Sequence, residues 1–267
     1  MRFPVRWLAL TAILLMSLAP AARAGRPCED KPLTREQIVQ GMNLAQATAA
    51  KLDASGADVL ILARAGQDLS KYGLRWSHLG FVYRDQDEDG KPVWRVLHKL
   101  NTCATDRAAL YRQGLGEFFL DRPFRYEAAY VALKPELQQA LLPLLRDNTR
   151  VAALNEPRYS MVAYAWGTRY QQSNQWVLET LASAADPGVR NRAKAQAWLK
   201  QQGYQPTDLH LDAATRLGAR LTQANVAFDD HPTARRFSSH IDTITVDSMF
   251  AWLPRAGLSG PVVAIHP

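Results

Sequence analysis

An α+β fold, an antiparallel sheet flanked by helices, follows from two features of the chain. Helix-like and strand-like segments come in the order helix, strands, helix, strands. Two strand-like runs are joined by the acidic turn Asp85–Gly90, the mark of a hairpin and hence of antiparallel pairing. Neither an internal repeat nor a linker interrupts the chain, so residues 25–267 are expected to form a single domain.

The elements follow in order. Thr34-Arg35-Glu36-Gln37 has the form of a capping box. Ile38, Met42, Ala45, Ala49 and Leu52 then recur at helical spacing until Ala54-Ser55-Gly56 ends the helix. Asp58–Ala65 is rich in β-branched residues and leucine and reads as a buried strand, and Gln67–Gly73 as a polar connection. Ser77–Arg84 and Val93–Lys99 are the arms of the hairpin. Asp85, Asp87, Asp89 and Gly90 resemble the start of a calcium loop, but Val96 stands where such a loop needs its bidentate Glu. A polar turn is the simpler reading.

Residues 106–120 are expected to be helical, with Leu110, Tyr111, Leu115, Phe118 and Phe119 as the apolar face. Tyr126–Leu133 returns to strand. Pro135 opens a helix carrying Leu137, Leu141 and Leu145, which Pro143 is expected to kink or end. Tyr159–Trp166 is apolar and fits no single period. A strong helix runs from Asn174 to Ala185, broken by Pro187-Gly188, and a second follows over Val189–Gln202, ended by Gly203. A helix near Asp212–Leu221, a turn at Asp229–Pro232 and a closing segment, Thr243–Leu253, complete the chain.

Composition is that of an ordinary globular protein. With 47% hydrophobic and 21% charged residues among 267, and 15 Gly and 15 Pro, disordered and collagen-like classes are excluded. Met1–Ala24 has a basic start (Arg2, Arg6), a short apolar run and an Ala22-Arg23-Ala24 end, the pattern of a cleaved secretory signal peptide. Arg26-Pro27 before Cys28 does not suit a lipoprotein, and no later stretch is apolar for long enough to span a membrane. The expected location is periplasmic or secreted. Of the formal charge of +7, three positives (Arg2, Arg6, Arg23) lie in that leader. No basic cluster with interleaved aromatics suggests nucleic acid; the excess charge suits anionic envelope polymers. In an oxidising compartment Cys28 and Cys103 are expected to form a disulfide, in preference to a free reactive thiol at Cys103.

Three polar residues could carry chemistry. His78 opens one hairpin arm, His98 closes the other, and the antiparallel pairing puts both at the same end of the sheet. Ser173 stands immediately before the helix starting at Asn174, where the dipole and unpaired N–H groups favour negative charge. A hydroxyl on a helix, a histidine base and a polar orienter (His98, or Asn101 with a slipped register) form the logic of nucleophilic acyl transfer. Trp76, Trp166 and Trp176 are candidates for an apolar wall. Each residue also has an ordinary explanation: Ser173 as a helix N-cap, the histidines as satisfied core residues. A metal set of His78, His98, Asp230 and His231 lacks the spacing of known metal motifs, so neither metal nor cofactor is expected.

Asp68–Arg84, Leu97–Cys103, Tyr111–Phe119, Tyr170–Ala182, Phe228–Pro232 and Thr245–Leu253 together resemble a secreted bacterial family, domain of unknown function 2145. More distantly, the Ser77-His78-x-Gly80 strand is similar to the histidine strand of circularly permuted NlpC-type, papain-like hydrolases. Their order is histidine, polar residue, then cysteine at a helix start, and His78, His98 and Ser173 follow it with serine in place of the thiol. The resemblance implies either a serine hydrolase or acyl-transfer enzyme acting on an envelope peptide or ester, or a non-catalytic periplasmic module of the same scaffold. A metal-dependent hydrolase is the remaining alternative, which the lack of metal-motif spacing disfavours. The partner is an envelope peptide, lipid or small molecule, and whether the protein is an enzyme stays open here.

Overall fold

Val59–Arg64 (β1) is buried along its whole length, which explains why this stretch is apolar at consecutive rather than alternate positions. In the computed structural model, which describes residues 31–267, it lies inside a six-stranded antiparallel sheet. Met1–Ala24 and Cys28 fall outside the described residues. β1 pairs on one side with β2 (His78–Gln86) and on the other with β5 (Ala128–Ala132). β2 continues to β3 (Pro92–Asn101) and β4 (Ala108–Gly114), and β5 to β8 (Val263–Ile265), giving the order β4-β3-β2-β1-β5-β8.

Both faces of the sheet are covered. Leu60, Leu62, Val82 and Val96 meet α1 (Arg35–Ala54) and α2 (Leu115–Phe119) through Leu44, Leu52, Phe118 and Phe119. Ile61, Phe81 and Leu97 point the other way, onto α3 (Pro135–Arg146), α5 (Ser173–Ala185), α6 (Arg192–Gln201) and α9 (Val246–Arg255). A short α4 (Asn148–Ala152) follows α3. A satellite layer has β6 (Thr207–His210) paired with β7 (His240–Thr243), plus α7 (Ala213–Thr222) and α8 (Thr233–Arg236). It holds its own small core around Leu211, Val226, Phe228 and Ile241.

The α1 capping box is present: Gln37 N–H donates to Thr34 Oγ1 and Gln37 Oε1 accepts from Thr34 N–H. Its buried face is rotated from the expected one, with Leu44, Ala45 and Leu52 inside and Ile38 and Met42 exposed. The hairpin turn is polar, and Asp87 Oδ1 accepts from the N–H groups of Asp89 and Lys91. Residues 106–120 are not one helix. They form strand β4 and then the single turn α2, because the open edge of β3 takes up the backbone groups of 108–114. Pro143 does not end α3, which runs on to Arg146 while Leu144 and Leu145 stay buried. The helix after Pro187-Gly188 starts at Arg192, with Asn191 as its cap, rather than at Val189. Tyr159–Trp166 contains no regular helix or strand, and the closing segment becomes α9 behind the Thr245 cap.

Candidate functional site

The Ser-His-x-Gly strand has a separate structural task for each residue. Ser77 Oγ accepts from the N–H groups of Gly66 and Gln67, at 2.8 and 3.0 Å, closing the end of β1 against β2. A Cβ on Gly80 would lie 2.8 Å from His98 Cβ and 2.9 Å from the Leu97 carbonyl oxygen, so only glycine lets β3 approach there. That approach brings His98 to His78. His78 Nε2 and His98 Nδ1 are 2.8 Å apart, and His98 Nε2 is 2.8 Å from Gln113 Oε1 on β4.

The direction of this relay follows from His98. It is fully buried, and burial, reinforced by the nearby Arg64 guanidinium, pulls its pKa down to about 4. His98 is therefore neutral near pH 7. Its Nε2 carries the proton given to the Gln113 carbonyl oxygen, so Nδ1 accepts from His78 Nε2–H. Phe118 packs against both imidazoles, and Arg64, held by the Phe118 carbonyl and Asp121, lies 4.5 Å from the centre of the same ring.

Ser173 is the first residue of α5, and its N-cap is Gln172. The pleat separates it from the relay. His78 and His98 face the α1–α2 layer through Phe118, whereas α5 packs on the opposite face. No hydrogen bond joins Ser173 to His78 among the described residues; the Ser173 hydroxyl instead interacts with the buried phenol of Tyr159. Ser173 and His78 meet only as lining of one cleft at the sheet's end.

The other expected site residues scatter. Asn101 secures the following loop: its Nδ2 donates to the Thr105 and Arg107 carbonyls and its Oδ1 accepts from Asn225. Trp76 lines the cleft, Trp176 is buried in the core against Phe81, and Trp166 packs edge-on to Tyr204. His231 Nδ1 pairs with Asp230 Oδ1 at 3.0 Å, and Asp230 Oδ2 accepts from Tyr164 N–H. Among the described residues no three His, Cys, Asp or Glu side chains are grouped to hold a metal ion. Cys103 lines the cleft and is not a free thiol.

The cleft has two adjoining lobes, of about 830 and 750 Å³. The first is mixed, with Asn101, Asp121, Gln223 and Asn225 beside Leu100, Leu120 and Met161 in its wall. The second is mainly apolar, walled by Leu69, Trp76, Val162, Val226, Phe228 and Ile244. Two positive features stand where they join. Arg122 lines both lobes, makes no ion pair among the described residues, and has φ +39°, a left-handed conformation that side chains rarely adopt. The N-terminus of α5 points there as well: Gln172 provides no side-chain cap, and Ser173 and Asn174 line the apolar lobe. Asn174 Oδ1 is buried there without a hydrogen-bond partner.

A buried network missed in the sequence lies behind the cleft. Arg192 donates to Glu179 at 2.7 Å and to the carbonyls of Gly167, Thr168 and Tyr170. Glu179 also accepts from Gln196 and Gln171, and Gln171 Oε1 accepts from Lys99. These bonds fix the irregular chain that leads into Ser173. The only signal for them was a row of long polar residues on helices that otherwise read as apolar.

Residues 51–253 match a bacterial family described as an uncharacterized protein conserved in bacteria (DUF2145). The match spans most of the chain, and the chain belongs to that family. No curated protein and no solved structure matches it.

Proposed function

We propose that the protein is an exported binding module whose cleft takes an anionic amphiphile, a molecule with an apolar body and an acidic end. Arg122 carries this reading. A cation without an ion pair among the described residues, held in a costly backbone conformation at the mouth of an apolar lobe, is organised for an anion with an apolar extension. The uncapped start of α5 adds a second positive end beside it. Export through Met1–Ala24, with Gly25 as the mature N-terminus, suits a basic chain working among envelope polymers and lipids. A Cys28–Cys103 disulfide would close that N-terminal segment onto the loop after β3.

Dansyl-undecanoic acid tests the proposal, because Trp76 lines the apolar lobe and would transfer excitation to the dansyl group. Arg122→Gln should weaken binding about tenfold, the worth of a charge-assisted hydrogen bond. The uncharged methyl ester should bind both proteins alike. Equal binding of the acid to both proteins, or no energy transfer at all, would overturn the reading.

A second reading is favoured by the relay from Gln113 through His98 to His78. On a papain-like scaffold it would make His78 a base, oriented by His98, for attack by Ser173 on an envelope ester or peptide, provided the two side chains, which face opposite layers, close across the cleft that both line. A fluorophosphonate probe decides between the two. Labelling that is lost in Ser173→Ala and in His78→Ala establishes the hydrolase; ligand binding without labelling leaves the module.

A further inference from the structure

We propose that the outer face of α7 and α8 docks on an anionic lipid bilayer. Leu217 and Leu221 lie one helical turn apart on α7 and are 60% and 75% exposed, and Phe237, directly after α8, is 79% exposed. These are large apolar side chains held in water; Leu217 and Leu221 share one face of α7, and the chain on both sides of Phe237 is tied to that helix. Arg216 joins the two helices by donating to the Arg236 carbonyl at 2.7 Å and to the Ser238 carbonyl.

The charge around the patch selects its occupant. Arg220 and Arg236 are exposed beside it, and neither α7 nor α8 contains an acidic residue. Asp212, the cap of α7, is engaged by Thr215. A second copy of the same face would bring arginines against arginines. Anionic head groups match the arginines while the acyl region takes the leucine and phenylalanine side chains, the pattern of an interfacial amphipathic helix. The inner side of the same helix supplies Thr215 and Ala219 to the apolar lobe, so the surface adjoins the cleft. Docking by this face does not depend on what the cleft binds or on Ser173.

The test is co-sedimentation of the soluble protein, its N-terminus fixed by intact mass, with vesicles of phosphatidylcholine alone or mixed with phosphatidylglycerol. Binding should require phosphatidylglycerol and fall as salt is raised. The triple variant Leu217→Ser, Leu221→Ser, Phe237→Ser and the double variant Arg220→Glu, Arg236→Glu should each lower the bound fraction about tenfold. Their circular dichroism melts should match the parent, since the altered side chains are exposed. Arg122→Gln should sediment like the parent, which separates this surface from the cleft. Parent protein left in the supernatant with phosphatidylglycerol vesicles would overturn the proposal, as would variants that bind undiminished. So would a dimer in sedimentation velocity that the triple variant abolishes, because a second copy would then cover the patch.

Discussion

At His98 the cost of burial becomes a pH dependence. The folded protein holds this imidazole near a pKa of about 4, below its ordinary 6.5, so between these values the unfolded chain takes up a proton that the native state refuses. Stability from this group is complete above pH 6.5 and is lost as pH falls toward 4. The full loss is about 3 kcal/mol, from the difference between the two pKa values. Urea denaturation at steps from pH 7 to pH 4 should show that slope, and His98→Gln should flatten it. An unchanged slope in the variant would mean that another group dominates. The His78–His98 contact was legible in the sequence, because a hairpin closing around Asp85–Gly90 puts the two positions at one end of the sheet. Gln113 was not, since Leu110, Tyr111, Leu115 and Phe118 have helical spacing and only the free edge of β3 makes their segment a strand. Arg122 carries no sequence signal, because a positive φ is ordinarily marked by Gly, Asn or Asp and nothing marks an arginine that adopts it.

Among the elements, α5 depends on a charge pair that its apolar spacing conceals. Glu179 is fully buried, and its carboxylate is held by Arg192, Gln196 and Gln171. Arg192→Leu strands that carboxylate in the core and should cost about 3–5 kcal/mol in urea unfolding, the penalty of an unpaired buried charge. Adding Glu179→Leu should recover part of the loss, since no charge is then left without a partner. A single variant as stable as the parent would show that Glu179 is neutral in the fold. The start of α5 also illustrates how faces sort residues. Lys99 points toward α5 and binds Gln171, while its neighbour His98 points to the other layer, so one step along β3 separates the buried network from the relay.

For the whole molecule, the proposed Cys28–Cys103 bond ties the N-terminal segment to the rim of the cleft. The cysteines are 75 positions apart, so chain-entropy arithmetic gives the bond about 4.5 kcal/mol. Cys103→Ser should lower the urea midpoint of the oxidised protein while leaving the reduced protein nearly unchanged. Two titratable thiols in the exported parent would contradict the bond.

Local chemistry was sufficient for much of this protein. The capping box, the buried β1, the polar hairpin turn and the α+β class all follow from side-chain type and spacing over a few residues, which is the range of those forces. The sequence also placed both histidines at one sheet end. Tertiary structure decided what depends on distant partners: β4 in place of a helix, the pairing of β6 with β7, and the two-lobed cleft. It also set Ser173 and the histidines on opposite faces, because covering both sides of β1 requires helices in two layers, and the pleat assigns each side chain to one of them.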